Sequence, residues 1–125
     1  MSEKSRILAV GCHPDDIEIL CAGTLAKYAN QGHYVAIAVV ANGNVGHKYI
    51  EPPELAKIRE KEAKNAADII GAEFFFLDVP DLMVGHDPDL HYKMVDVIRS
   101  ARPDIIITHS PDDYMLDHQA TSDLV

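Results

Sequence analysis

The stretch Gly11-Cys12-His13-Pro14-Asp15-Asp16-Ile17-Glu18 sets one imidazole and three carboxylates within a few positions of one another. Loops that bind phosphate between a strand and a helix rely on glycines and backbone N–H groups. Acidic side chains in that place repel phosphate and attract a cation, so the chemistry first suggested is metal binding. His13 and Asp16 are separated by a turn, and Pro14 biases His13 toward extended backbone; both can reach one ion. Asp15 and Asp16 are adjacent and point different ways. If Asp16 holds the metal, Asp15 is free to face a water on the ion and take its proton, the arrangement of metal-assisted hydrolysis. The same acids also suit a plain helix start, where Asp15, Asp16 and Glu18 would cap the first turn and complement the helix dipole.

A second chemistry-bearing stretch, His109-Ser110-Pro111-Asp112-Asp113-Tyr114-Met115-Leu116-Asp117-His118, lies far along the chain. A catalytic zinc site takes three protein ligands and keeps one position open. The third ligand must come from outside the first loop, and His118 is the best candidate. Two imidazoles and one carboxylate on a divalent ion leave a net positive site, able to stabilise the oxyanion of an attacked acyl group. Taken alone, Asp112 and Asp113 after Pro111 read as turn residues, and His118 as a hydrogen-bonded histidine. What favours a site is that His- and Asp-rich loops recur after two strands expected to be neighbours.

The elements that must position these residues alternate between strand and helix. Ile7 to Val10 is a short apolar run, as in a strand buried on both faces. Ile17 to Gln31 reads as one helix stopped by Gly32, and Tyr34 to Val40 as a second strand. A loop at Asn42 to His47 follows. Pro52-Pro53 opens a helix that ends at Gly71, and Phe74 to Leu77 is a third strand. Asp78 to Asp89 reads as loop. Leu90, Met94, Val95 and Ile98 form a helical stripe ending near Arg102-Pro103, before a fourth strand at Asp104 to Thr108. Gln119 to Val125 reads as the opening of another helix. The expected fold is α/β: a Rossmann-like, three-layer α/β/α arrangement around a mainly parallel sheet. The first strand should be central, with the third and fourth on opposite sides, so that the loops after strands one and four meet at a switch point.

The chain has 125 residues, read as a single domain spanning 1–125, and a formal charge of −9. That charge argues against a nucleic-acid partner, whose affinity needs clustered Lys and Arg. Cys12 and Cys21 are the only cysteines and read as reduced thiols of a cytoplasmic protein. The start, Met1-Ser2-Glu3-Lys4-Ser5-Arg6, is too polar for a signal peptide, and no apolar run reaches membrane-spanning length. Nucleotide binding is a weak reading, because the first loop lacks Gly-x-Gly-x-x-Gly and Gly43 to Lys48 lacks the spacing of a phosphate loop.

These stretches resemble the LmbE-like/PIG-L family of zinc-dependent de-N-acetylases. The family loop, His-Pro-Asp-Asp-x-Glu after a strand, is matched in full by residues 13–18. Its second motif, Arg-Pro-Asp followed by an apolar run and a later Asp-His, is matched by Arg102-Pro103-Asp104 with Ile105 to Thr108, and by Asp117-His118. Arg59-Glu60-Lys61-Glu62 fits the family's Arg-x-x-Glu helix. The resemblance implies zinc held by His13, Asp16 and His118, although iron, cobalt or manganese also suit such a donor set. It implies Asp15 as general base, Arg59 as the arginine near the substrate, and Asp117 and Glu18 in supporting positions. The implied activity is removal of an N-acetyl group from an N-acetylglucosamine-type sugar or glycoconjugate. Residue by residue, the alternative for Arg59 is a surface pair with Glu62, which contributes little when exposed.

Two departures from the family pattern carry expectations of their own. Three residues before the ligand histidine the family usually has a second histidine that polarises the amide oxygen; here Met115 stands there, and a thioether donates no hydrogen bond. Asp117 would then lose the imidazole it orients, with His109 and His47 as possible substitutes for the missing donor. Loss of one oxyanion donor typically costs about two to three orders of magnitude in rate, so weakened hydrolysis is expected. The alternative function is a catalytically impaired metal- or sugar-binding, regulatory domain that works in an oligomer. Family domains also continue past the Asp-His motif, so a C-terminally shortened sheet should expose apolar surface and an edge, and homo-oligomerisation is expected.

Overall fold

Alternate side chains of the central strands serve two different cores, one on each face of a parallel sheet. In the computed structural model, which describes residues 3–125, Ile7 and Ala9 of β1 (Arg6–Gly11) face one side and Leu8 and Val10 the other. Strand β2 (Tyr34–Ala41) repeats the pattern, with Val35, Ile37 and Val39 opposite Ala36, Ala38 and Val40. This is the period of two that a strand imposes, with both faces covered. The polar chain start is described from residue 3 onward; residues 1 and 2 lie outside the described residues.

Strands β3 (Glu73–Val79) and β4 (Ile105–Thr108) complete a four-stranded sheet of order β3-β2-β1-β4. All pairings are parallel, with Arg6 opposite Tyr34 and Ile7 opposite Ile105. The expected switch point is therefore present: β1 lies between β2 and β4, so its C-terminal loop opens toward the loop after β4.

Helices α1 (Asp16–Leu20), α2 (Ala22–Asn30) and α3 (Pro52–Ile69) cover one face through Ile17, Leu25 and Ala67. Helix α4 (Pro88–Ala101) covers the other through Leu90, Met94, Val97 and Ala101. Leu124 of α5 (Leu116–Leu124) packs against that same core. A fully buried Leu or Ile contributes about 1.5–3 kcal/mol of hydrophobic stabilisation, and Ile7, Leu8 and Leu25 are all fully buried. The Rossmann-like α/β expectation is met.

Several boundaries differ from the sequence reading. The helix expected over Ile17 to Gln31 is two helices, broken where Cys21 takes φ −148° and ψ 9°. Periodicity hides this break, because the bonds Cys21 N–H to Ile17 O and Leu25 N–H to Cys21 O, both 3.0 Å, keep the turns in phase. Strand β3 runs on to Val79, and α4 begins at Pro88, where Asp87 accepts a hydrogen bond from Asp89 N–H at 3.1 Å. Helix α5 begins at Leu116 rather than Gln119, which puts Asp117 and His118 in its first turn.

On the outer strand β4, Ile105 is 42% and Ile106 38% exposed. No helix among the described residues is long and apolar enough to cross a membrane, and Cys12 and Cys21 are both free thiols.

Candidate metal centre

The loop after β1 is held in one shape by its own backbone. Gly11 lets α1 approach, since a Cβ there would lie 2.7 Å from Ile17 Cγ1. Asp15 takes φ 93°, in the left-handed region, which is uncommon for a residue with a side chain. The turn is closed by Asp16 N–H to His13 O at 3.2 Å and by His13 N–H to Asp16 Oδ2 at 2.8 Å. The acids therefore do not act as helix caps: no side chain caps α1, and Asp16 turns back toward His13.

Asp16 Oδ2 is the point on which the two histidines converge. His13 Nδ1 lies 3.4 Å from it and His118 Nε2 3.2 Å from it. Each imidazole is held on its other side by a second carboxylate. His13 Nε2 is 3.1 Å from Asp117 Oδ2, and His118 Nδ1 is 3.1 Å from Asp113 Oδ1. A carboxylate can only accept, so those ring nitrogens carry the protons. When neutral, His13 then presents Nδ1 and His118 presents Nε2 as lone pairs to the Asp16 oxygen. Three lone-pair donors facing one another suit a cation held between them.

One buried atom makes the same point. His118 is 5% exposed, and its Nε2 has no hydrogen-bond partner among the described residues, Asp16 being close but outside hydrogen-bonding geometry. Leaving such a group unsatisfied costs about 1–3 kcal/mol, a cost that a metal ligand bond removes. The donor set and its supporting carboxylates fit a divalent metal such as zinc, whose histidine ligands regularly donate their remote N–H to carboxylates.

The electrostatics agree. The hydrogen bond to Asp16, followed by the Cys12 thiol, raises the His13 pKa to about 11, so without a metal a proton stands where the cation would be. Burial raises the Asp16 carboxyl, but the His13 bonds and the nearby His118 outweigh it and hold the group below its ordinary value. Asp15 is pushed up by burial, against the opposing pull of Arg59. Glu18 is likewise raised by burial.

Around this centre the chain forms a cleft of about 310 Å³ lined by Asp15, Arg59, Asp81, Tyr114 and Met115 with the three donors. Arg59, from α3, donates to Pro14 O at 2.5 Å and lies 3.5 Å from Asp15 Oδ2. It is thus a partner of the acidic loop, and no Arg59–Glu62 ion pair is present among the described residues. Gly43, at φ +74°, brings the loop after β2 over Arg59: a Cβ would sit 3.3 Å from Arg59 Cγ and from Pro14. Glu18 and Glu62 line an adjoining cleft of about 490 Å³ beside Arg59 and His47.

Two expectations about the second loop need correcting. Asp117 is not left without a partner by Met115; its Oδ2 accepts from His13 Nε2 and, at 2.8 Å, from Leu82 N–H. His109 does not replace the missing donor, because it is turned inward, where its Nε2 accepts Cys12 N–H at 3.0 Å and its ring stacks on His118 at 4.2 Å. His47 Nδ1 is also engaged, by the Tyr49 and Ile50 N–H groups.

Sequence reasoning undervalued Asp113 and missed Asp81. Asp113 belongs to the loop expected to meet the first one, with a plain turn residue as the alternative, and its Oδ1 accepts both from Met115 N–H at 3.0 Å and from His118. Its place just before the helix bearing His118 was the available signal. Asp81 accepts from Gly43 N–H at 2.9 Å and ties the loops after β2 and β3 together; Pro80-Asp81 in the sequence marks only a turn.

The profile of the PIG-L family, GlcNAc-PI de-N-acetylase, matches residues 8–125. An uncharacterized deacetylase of Escherichia coli, YaiS, is 35% identical over 113 residues, covering 90% of this chain and 54% of that protein. A 4-oxalmesaconate hydratase of Pseudomonas putida is 29% identical over 119 residues, covering 89% of this chain and 46% of its own length. Among solved structures, N,N'-diacetylchitobiose deacetylase from Pyrococcus horikoshii superposes with a TM-score of 0.88 at 25% identity, covering 98% of this chain and 48% of that one. The chain thus spans about half the length of the relatives it matches. With the family loop at residues 13–18, the Asp-His pair at 117–118 and the matched fold, the chain belongs to the PIG-L family of GlcNAc-PI de-N-acetylases.

Proposed function

We propose that this chain carries the metal-dependent centre of a hydrolase that removes an N-acetyl group from an N-acetylglucosamine-type sugar or glycoconjugate. The observation that carries the reading is the convergence of His13 Nδ1 and His118 Nε2 on Asp16 Oδ2, each ring held from behind by a carboxylate. Zinc, when held by His13, Asp16 and His118, supplies Lewis acidity that lowers the pKa of a water and polarises the amide carbonyl.

The chain's own residues do the rest. Asp15 faces the cleft and is exposed enough to meet substrate. Its carboxylate takes a proton from the attacking water as the new C–O bond forms. It returns that proton to the departing nitrogen as the C–N bond breaks, leaving acetate and a free amine. Arg59 holds the acidic loop through Pro14 O and presents its charge to the cleft. Asp117 and Asp113 fix the two imidazoles, and Glu18 lines the adjoining cleft, where the sugar would extend.

The test is acetate release from N,N'-diacetylchitobiose by the zinc-loaded protein beside Asp15→Asn. Release that depends on Asp15 supports the reading; release that does not depend on Asp15 removes the assigned base. A second reading, hydration of an unsaturated tricarboxylic acid, is favoured by Met115, which leaves the amide oxygen one donor short. It is favoured too by the similarity to a 4-oxalmesaconate hydratase. Turnover of 4-oxalmesaconate with none of chitobiose would select it. Turnover of neither would leave the impaired, metal- or sugar-binding reading.

A cytoplasmic location and self-association complete the proposal. The exposed Ile105 and Ile106 of β4 support the latter. Light scattering that gives a monomer at all concentrations would remove it.

A further inference from the structure

His109 directly follows β4, its side chain is only 4% exposed, and the hydrolytic reading gives it no task. Its Nε2 accepts from Cys12 N–H at 3.0 Å, one position before His13. Its ring lies against that of His118, with centroids 4.2 Å apart and planes 13° from parallel. The same Nε2 stands 3.6 Å from Asp16 Oδ2, too far for a hydrogen bond. One buried ring thus borders every part of the centre: the residue next to His13, the Asp16 carboxylate and the His118 imidazole.

The bond from Cys12 N–H fixes the state of that ring. A nitrogen that accepts a hydrogen bond carries a lone pair, so His109 is neutral with its proton on Nδ1. A neutral imidazole offers an electron-rich face, which attracts a ring made electron-poor by a cation on its Nε2. Asp113 holds His118 Nδ1 at 3.1 Å, but a single hydrogen bond leaves the ring free to rock about it. His13 and Tyr114 meet His118 tilted or edge-on, with centroids at 5.3 Å and 5.7 Å, and do not lie flat on it. His109 does, and so keeps His118 Nε2 aimed at Asp16 Oδ2, 3.2 Å away.

We propose that His109 is a positioning residue of the metal centre: by lying flat on His118 it sets the plane of that ligand, while its bond to Cys12 N–H serves the stability of the first loop. The proposal rests on the metal-centre reading above and adds a residue to it. His109, Asp113 and His118 also form a group whose donor atoms lie within 4.8 Å of one another. That group is not a second ion site, because Cys12 N–H takes the lone pair of His109 and Asp113 takes His118 Nδ1.

Substitution separates the two contacts. His109→Gln puts an amide oxygen where Nε2 stands and keeps the bond to Cys12 N–H without a flat ring. His109→Phe keeps a flat ring and leaves the buried Cys12 N–H unpaired. Zinc affinity is read by competition with a chromophoric chelator, the visible absorption of the cobalt(II)-loaded chains reports coordination, and circular dichroism checks the fold. His109→Gln is expected to bind zinc about 10–100-fold more weakly than the parent, the range for groups that support metal-bound histidines. Its cobalt bands should weaken as the His118 ring is released, whereas His109→Phe keeps the parent's affinity and bands. A purely structural role gives the reverse order, because the unpaired buried N–H is then the costlier loss. That order, or parent-like binding by His109→Gln, would overturn the proposal. If one variant does not fold, the other decides alone: parent-like binding supports the proposal in His109→Phe and overturns it in His109→Gln, and weakened binding does the opposite. A parent that takes up neither zinc nor cobalt would overturn the metal-centre reading itself, and this inference with it.

Discussion

His13 Nε2 and Asp117 Oδ2 lie 3.1 Å apart although 104 positions separate the two residues. The pair joins the loop after β1 to the first turn of α5, and it exists because β1 and β4 are adjacent in the sheet. It also settles which nitrogen of His13 faces Asp16. The carboxylate accepts a hydrogen bond from Nε2, which leaves Nδ1 facing Asp16 as the atom that would bind a metal, and a residue expected to lack a partner holds that ring in place.

Removing either supporting carboxylate should loosen the metal without abolishing the fold. Asp117→Asn and Asp113→Asn each leave a side chain of the same shape but free the tautomer of His13 or His118. Supporting partners of metal-bound histidines typically contribute about 10–100-fold in affinity. Competition with a chromophoric zinc chelator should show a loss in that range for each variant. An unchanged affinity in both would mean that the rings are positioned by packing alone.

Asp15 should separate chemistry from metal binding. Its Oδ2 faces Arg59 at 3.5 Å, and it lies outside the set of converging donors. Asp15→Asn is expected to keep the parent's metal content while kcat falls about 10²–10⁴-fold, the usual contribution of a general base. Equal loss of metal and activity would instead make Asp15 a ligand.

Met115 lines the cleft beside Tyr114 and His118, with no donor of its own. Met115→His places an imidazole donor beside the position the amide oxygen would take, and kcat for acetate release should rise by about two orders of magnitude. The gain belongs to kcat rather than KM, because the donor acts on charge that develops in the transition state. An unchanged kcat would show that the cleft already supplies the donor, with the Tyr114 hydroxyl next to be tested.

The first loop was legible in the sequence because its chemistry is local: His13, Asp15 and Asp16 are within one turn of each other. His118 followed from the strand order, which the alternation of apolar runs and helical stripes implied. The bond between Asp113 and His118, and Asp81 altogether, were not legible, since each acts through a loop whose path depends on tertiary contacts. Asp81 is fixed by Gly43 N–H and Asn44 Oδ1 across two loops. The break at Cys21 was hidden for the opposite reason: both short helices keep the same apolar phase, so Ile17 and Leu25 read as one stripe. The start of α5 at Leu116 escaped notice because Met115 caps it without a side-chain acceptor.

Metal content per chain, by elemental analysis after extensive dialysis, tests the central claim most directly when the parent is set beside His118→Ala. If the loops after β1 and β4 build one centre, the parent retains about one tightly held ion per chain, as a single three-ligand site requires, and the variant loses most of it. Equal content in both proteins, or no ion in the parent when zinc is supplied, would contradict a centre shared between His13, Asp16 and His118.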